Sequence, residues 1–154
     1  MKKYKTIQKH FLVVFLILAC VMSAAASGSK DINDIRNRDW ILTEVKINSV
    51  TTQLVRPQAL TESYTLRFEA DRLSGIGAPN RYFGPYTAGP DNSLTIGAAA
   101  STMMASFIEV DGIKEGEYFA YLAKVTKWYM WDNTLLLYTS NQSGAPVILI
   151  YRLK

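Results

Sequence analysis

The sequence predicts a mainly β protein, which we expect to be an antiparallel curved sheet or open β-barrel of about eight strands with a helical crossover packed on it. Two observations support this fold class. Apolar and polar residues alternate in short runs, and clusters of Gly, Pro, Asn and Asp separate these runs, as is typical of strands joined by turns. Only the middle of the chain departs from this pattern, because its apolar residues recur at helical spacing. A curved sheet with a helix packed on it buries both patterns.

The first half of the chain contains five of these strands. We expect them at residues 40–47, 64–68, 71–76, 81–87 and 93–96. Strict alternation in the second strand places Tyr64, Leu66 and Phe68 on one face. Residues 48–62 are expected to form a loop, and the turn cluster 88–92 leads into the fifth strand.

The region from residue 101 to residue 125 has helical spacing. Tyr118, Leu122 and Val125 recur about one turn apart and define the stripe that would face the sheet. Two glycines inside the region predict two helices rather than one, because glycine weakens a helix interior. They are Gly112 and Gly116.

The last third of the chain returns to strands. A hairpin is expected to join strands 127–131 and 134–138 through Asp132-Asn133, because Asp and Asn tolerate the positive φ angles of a two-residue turn. Pro146 opens the last strand, 147–153, at a position where a missing N–H does little harm.

The first 26 residues have the pattern of a secretion signal. Four lysines precede an unbroken apolar run, residues 11–19, and a small-residue segment follows it. The sequence Ile17-Leu-Ala-Cys20 matches a bacterial lipobox, which predicts a signal peptide at residues 1–19 and lipidation of Cys20. Cleavage after Ala26, with a signal at residues 1–26, is the alternative.

This N-terminal pattern predicts both the domain organisation and the location. Residues 20–38 are expected to be a tether, with ordered structure beginning near Asp31, and residues 39–154 the single domain. We expect an exported protein of the bacterial cell envelope, held at the membrane by the lipid anchor on Cys20. A soluble periplasmic or secreted protein is the alternative.

The part of the chain beyond the signal lacks the residues on which most catalysis depends. The single histidine, His10, lies inside the signal, and Cys20 is the only cysteine. Four of the 17 Lys and Arg residues precede Cys20, which leaves 13 to balance 13 Asp and Glu, so no nucleic-acid partner is expected. We therefore predict no catalytic residues, no metal, no cofactor and no enzymatic activity.

Four motifs, in a fixed order, resemble those of a known family. They are Trp40-x-Leu42, RLSGIGAPNRYFGPY at residues 72–86, LTIGAAASTMMAS at residues 94–106, and Glu115-x-x-Tyr118. Together they are similar to the META domain, also called the HslJ-like domain, of bacterial envelope lipoproteins and secreted proteins. The resemblance implies a small mainly β domain with an interaction or envelope-stress role and without established catalytic residues.

The chain departs from this family at two positions. Many relatives have cysteines where this chain has Pro79 and Ser106. The resemblance implies that those cysteines form a pair in the relatives, so this chain does without that disulfide.

The first candidate binding site is Asn80-Arg81-Tyr82, in a Gly-rich loop that enters a strand. The Arg81 guanidinium could receive a carboxylate or phosphate. The alternative is structural, with Asn80 bonding to the backbone of an awkward turn and Arg81 pairing with an acid.

The second candidate site is aromatic. Alternation sends Trp128 and Met130 to one face of their strand and Tyr129 and Trp131 to the other. In the functional interpretation, Trp128, Tyr129 and Trp131 form an exposed patch or line a cavity that binds a partner or ligand. In the structural alternative, the helix covers the second face and both faces are core.

Two further groups are expected to be structural. Ser101 and Thr102 have no histidine to activate them and would cap a helix. The densest acidic cluster matches no calcium loop and would be a solvated helix face. It consists of Glu109, Asp111, Glu115 and Glu117.

Taken together, these features predict a non-enzymatic structural or interaction module that binds an unknown envelope protein. The alternative function is a carrier, because a barrel of about eight strands can enclose one small apolar ligand.

Overall fold

The computed structural model describes residues 31–105 and 109–154. The strands in these two ranges are β1 (Asp39–Ile47), β2 (Val50–Gln53), β3 (Thr65–Phe68), β4 (Arg72–Ile76), β5 (Arg81–Ala88), β6 (Leu94–Ile96), β7 (Ala100–Ser101), β8 (Glu109–Val110), β9 (Ile113–Lys114), β10 (Lys127–Trp131), β11 (Thr134–Ser140) and β12 (Pro146–Leu153). The α-helix of the same two ranges is α1 (Glu115–Leu122), and short 3-10 turns lie at Ile32–Asp34, Gln58–Leu60 and Pro90–Asn92.

Eight of the strands form a nearly closed antiparallel barrel, in the order β10-β11-β12-β1-β3-β4-β5-β6. The two ends of this sheet meet at an isolated bridge between Ser93 and Lys127. Beside that bridge, the Leu94 N–H donates to the Thr126 carbonyl at 2.9 Å. Strand β2 pairs with β1, β7 pairs with β5, and β8 and β9 form a separate hairpin. The predicted fold class, a curved antiparallel sheet of about eight strands, is therefore confirmed.

The barrel interior is filled with large side chains. The alternation predicted for β3 is confirmed, because Tyr64, Leu66 and Phe68 are all buried. Aromatic rings occupy much of the remaining space, since Trp40 and Tyr151 are also fully buried. Dense apolar burial of this kind is the main favourable contribution to folding.

The chain upstream of β1 is also part of the domain. Ile35 is fully buried in the core, and its carbonyl accepts a hydrogen bond from Nε1 of Trp40 at 3.0 Å. Arg36 makes a parallel bridge with Phe68. The last residues of the segment 20–38, which the sequence assigned to a tether, therefore pack on the barrel.

The helical prediction for residues 101–125 is wrong for residues 101–105 and 109–114. Residues 109–114 form the β8–β9 hairpin instead, and the only helix of the described part of this region is α1. Asp111 and Gly112 have φ angles of 49° and 81°, so both adopt the positive φ of a tight hairpin turn. The Asp-Gly pair between Val110 and Ile113 is a hairpin signal that the helical spacing obscured. Gly116 lies inside α1 rather than ending a helix.

The other turn predictions are largely confirmed. The hairpin through Asp132 joins β10 to β11, and Asp132 has a φ of 54°. Pro146 begins β12, opposite Ser140. The expected loop at residues 48–62 instead contains β2, which pairs with β1. No helix among the described residues has both the length and the apolar character that a membrane span requires.

Candidate functional site

Glu115, at the start of α1, is buried against the loop that precedes β5. Its side chain is the acceptor of three hydrogen bonds and the residue is only 7% exposed. The backbone N–H groups of Ala78 and Asn80 donate to Oε1, each at 2.7 Å, and the Asn80 amide donates to Oε2 at 2.6 Å. The prediction that Glu115 lies on a solvated helix face is therefore wrong. Its hydrogen-bond partners lie more than 30 positions away in the sequence, so no local sequence pattern indicated that Glu115 would be buried.

Asn80 connects this carboxylate to the segment after β7. Its Oδ1 accepts hydrogen bonds from the Thr102 hydroxyl and the Met104 N–H, both at 2.8 Å. Its Nδ2 also donates to the Met104 carbonyl at 3.0 Å. The sequence predicted that Thr102 caps a helix. Instead, its hydroxyl donates a hydrogen bond that helps to hold Asn80. Asn80 is thus a buried connector of three segments.

Tyr82 belongs to a cluster of buried hydroxyl groups inside the barrel. Its oxygen lies 2.9 Å from that of Tyr118, which accepts a hydrogen bond from Tyr151 at 3.1 Å. The Tyr82 hydroxyl donates to the Thr65 carbonyl at 2.8 Å. Burial raises the pKa of Tyr118 to about 12 and the pKa values of Tyr82 and Tyr151 well above their ordinary value. The hydroxyls are therefore neutral at physiological pH.

Arg56, in the loop after β2, is a half-buried cation that sequence reasoning missed. Its Nε donates to the Ser63 carbonyl at 3.0 Å, and its Nη2 donates to the Leu42 carbonyl. Burial lowers the pKa of its guanidinium. These bonds to backbone carbonyls hold the loop against β1 and the residues that lead into β3.

Arg81 points away from its two sequence neighbours. It is exposed on the outer face of β5, whereas Asn80 and Tyr82 are buried. Within 31–105 and 109–154 it makes no ion pair, so the expected acidic partner is not found. The structure therefore does not bring Asn80, Arg81 and Tyr82 together as one site.

The aromatic strand β10 presents two different faces, as alternation predicted. Trp128 and Met130 are buried, whereas Trp131 is 76% exposed and Tyr129 is 37% exposed. Tyr138 on the neighbouring β11 is 38% exposed. The structural alternative, in which the helix covers this face, is therefore wrong. The exposed side chains Tyr129, Trp131 and Tyr138 are called the aromatic face below.

A shallow depression of about 470 Å³ adjoins Trp131. Trp131 lies opposite Thr134, and Thr134 lies opposite Arg152, which donates a hydrogen bond to the Thr134 hydroxyl. Leu136 and Ile150 also line the depression, together with Glu44 and Asp132. The depression thus combines one exposed indole with two carboxylates and one guanidinium.

The remaining site predictions concern metal binding, Cys20 and the two positions at which many relatives have cysteine. No group of three or more His, Cys, Asp or Glu side chains in the described ranges could hold a metal ion. Cys20 and Ser106 lie outside those ranges. Pro79 joins Ala78 through a cis peptide bond in the loop that Glu115 holds.

In comparisons with known proteins, a family model shows the family of this chain and solved structures show its fold. A family model described as the META domain matches residues 33–150. An NMR structure of a protein from Burkholderia xenovorans is 20% identical, with a TM-score of 0.56 over 83% of this chain and 96% of that chain. A crystal structure of a DUF4847 family protein from Bacteroides vulgatus is 12% identical, with a TM-score of 0.57 over 78% of this chain and 94% of that chain. No curated protein matches the chain.

Proposed function

The chain belongs to the META domain family, and from that premise we propose that it is a non-enzymatic interaction module of the bacterial cell envelope. The aromatic face is the contact surface, and an envelope component is the partner. The observation that carries this proposal is the contrast between the two faces of β10. Trp128 is 3% exposed on the inner face, while Trp131 is 76% exposed on the outer face. Exposed aromatic side chains grouped on one sheet face are typical of binding surfaces.

The packing of the barrel favours a surface module over the alternative, a carrier of a small apolar ligand. A carrier needs internal space, whereas bulky side chains such as Trp40, Tyr82 and Tyr118 fill this interior. The tyrosine hydroxyls find partners among themselves and on the backbone. This packing leaves the outer surface as the place where a ligand would bind.

The hydrogen bonding of the acidic cluster argues against catalysis by this cluster. General acid–base chemistry needs a carboxyl group that can reach a substrate. Glu115 is already engaged by three N–H donors, and Glu117 accepts a hydrogen bond from the Tyr121 hydroxyl. Glu109 lies on the separate β8–β9 hairpin. Nothing in this arrangement pairs two available carboxylates around a substrate position.

Export and lipidation form the second part of the proposal. The basic head, the apolar run and the Ile17-Leu-Ala-Cys20 sequence support translocation followed by acylation of Cys20. A multiply acylated cysteine anchors a protein stably to a membrane. Cells labelled with radioactive palmitate should incorporate it into the wild-type chain and not into Cys20→Ala. Equal labelling of both chains would contradict the anchor.

The contact surface is tested by photo-cross-linking in growing cells. A photoreactive amino acid is placed at position 131 in one strain and at position 83 in a control strain. Phe83 is a suitable control because it is an exposed aromatic residue, 58% exposed, on the distant strand β5. We expect a discrete cross-linked product from position 131 that position 83 does not give. Identical products, or none, from both positions would contradict the proposal.

A further inference from the structure

We propose that the depression beside Trp131 binds a neutral glycan, with the indole as the stacking platform and the surrounding polar side chains as partners of sugar hydroxyls. This inference rests on the proposed function and names the chemical class of partner for the same face. The depression measures about 470 Å³ and opens broadly to solvent.

The exposed indole provides the platform. Trp131 is held in a paired strand, opposite Thr134 and directly before the hairpin turn. Its ring is therefore presented from a rigid element, so a ligand loses little of its binding energy to ordering it. One face of a pyranose ring carries C–H groups with partial positive charge, and these fit the electron-rich face of an indole.

The polar side chains supply both types of hydrogen-bonding group. The carboxylates of Glu44 and Asp132 are acceptors, and neither makes an ion pair or a side-chain hydrogen bond with another described residue. The Arg152 guanidinium uses one N–H on Thr134 and has further donors. A sugar hydroxyl both donates and accepts, so it needs both types of group beside the platform.

The depression carries groups of both charge signs, two carboxylates and one guanidinium, and this mixture suits a polyol better than a simple cation. A quaternary ammonium group also stacks on indole and would be attracted by Glu44 and Asp132. The Arg152 guanidinium offsets one of these two carboxylates and would make no favourable contact with a cation. A polyol carries no charge and can use all three groups at once.

The test uses the full-length chain purified in detergent from the host envelope. It is titrated with cellotetraose, chitotetraose and maltotetraose, and with choline as the cationic probe. Trp40 and Trp128 are buried, so a change in tryptophan emission on stacking reports Trp131. Because Trp131→Ala removes this reporter, its affinity is measured by titration calorimetry beside the wild-type chain.

We expect at least one oligosaccharide to shift the emission and to bind with measurable heat. Trp131→Ala should then lose about tenfold or more in affinity, which corresponds to one lost contact of about 1.4 kcal/mol. Glu44→Gln and Asp132→Asn should weaken binding by smaller factors. The matched control Phe83→Ala should bind as the wild-type chain does.

Three results would overturn the inference: no oligosaccharide binds at tens of millimolar, Trp131→Ala binds normally, or choline alone binds. These outcomes are separate from a failure of the proposed function. If position 131 cross-links to a protein while no oligosaccharide binds, the glycan is wrong and the contact surface stands. If position 131 gives no distinct product and no oligosaccharide binds, both are wrong.

Discussion

The Glu115 carboxylate receives the side-chain amide of Asn80 at 2.6 Å in the interior of the protein. The same carboxylate also receives two backbone N–H groups of the loop at residues 78–80. Hydrogen bonds to a charged acceptor are stronger than neutral ones, and a buried charge is tolerated only when it is satisfied in this way. The start of α1 and the loop before β5 therefore depend on each other.

We predict that Glu115→Gln destabilises the protein by about 2–3 kcal/mol, because the new amide places N–H groups against N–H donors. Denaturant unfolding followed by circular dichroism measures the change. Glu109→Gln is the matched control, since this acid of the same cluster is exposed, and it should change the stability by less than about 0.5 kcal/mol. Equal effects of the two substitutions would show that the buried carboxylate is not a structural connector.

Two glycines should respond to alanine in opposite directions. A Cβ on Gly77 would lie 2.4 Å from Oε1 of Glu115, so Gly77→Ala should displace that carboxylate and lower the melting temperature. A Cβ on Gly116, inside α1, meets nothing within 4 Å. Gly116→Ala should therefore raise the stability by about 0.5–1 kcal/mol, as expected for an unobstructed helix position. A drop in melting temperature for both variants would contradict the packing described for Gly116.

The buried tyrosines predict a loss of stability in alkaline solution. Burial raises the pKa of Tyr118 to about 12, whereas the pKa of an unfolded tyrosine is about 10. The unfolded chain therefore loses protons first as the pH rises, and the stability that is present below about pH 10 declines between about pH 10 and 12. Tyr82 and Tyr151, whose pKa values are raised in the same direction, add to this decline.

The measurement is the free energy of unfolding as a function of pH, with tyrosinate absorbance recorded in parallel. The ionisation of Tyr118 and the unfolding of the protein should occur over the same pH range. Tyr118→Phe should make the alkaline decline shallower, because one titrating group is removed. An unchanged slope in this variant would contradict the pKa assignment.

The two tryptophans of β10 should differ sharply in their effect on stability. Trp128→Ala removes a core side chain and should cost about 3–5 kcal/mol, the usual result for a buried aromatic residue. Trp131→Ala, on the exposed face, should change the stability by less than about 0.5 kcal/mol. Thermal unfolding of the two variants checks this. A large loss for Trp131→Ala would mean that this side chain supports the fold, and it would then be unsuitable as a binding probe.

Local patterns in the sequence predicted the strands well because strand alternation depends on near neighbours. Tyr64, Leu66 and Phe68 are buried together, and Trp128 and Trp131 lie on opposite faces, as their spacing requires. Residues 109–114 form a hairpin despite the helical spacing of their apolar residues, because Asp111 and Gly112 adopt the positive φ angles of a tight turn.

Long-range contacts could not be read from the sequence. Thr102 and Glu115 both bind Asn80, but 22 and 35 positions separate them from it. Nothing in the residues around either one indicates which distant amide will meet it. The exposure of Trp131 likewise depended on where α1 would pack, and that placement is a property of the whole barrel.

The chain upstream of β1 joins the domain at the middle of the sheet. The Asn37 N–H donates to the Phe68 carbonyl at 2.8 Å, and Trp40 is tied to the Ile35 carbonyl. Strand β1, which follows, lies between β12 and β3 rather than at a margin. A pull applied to the residues before β1 would therefore load a strand that is hydrogen-bonded on both sides rather than a free edge of the sheet.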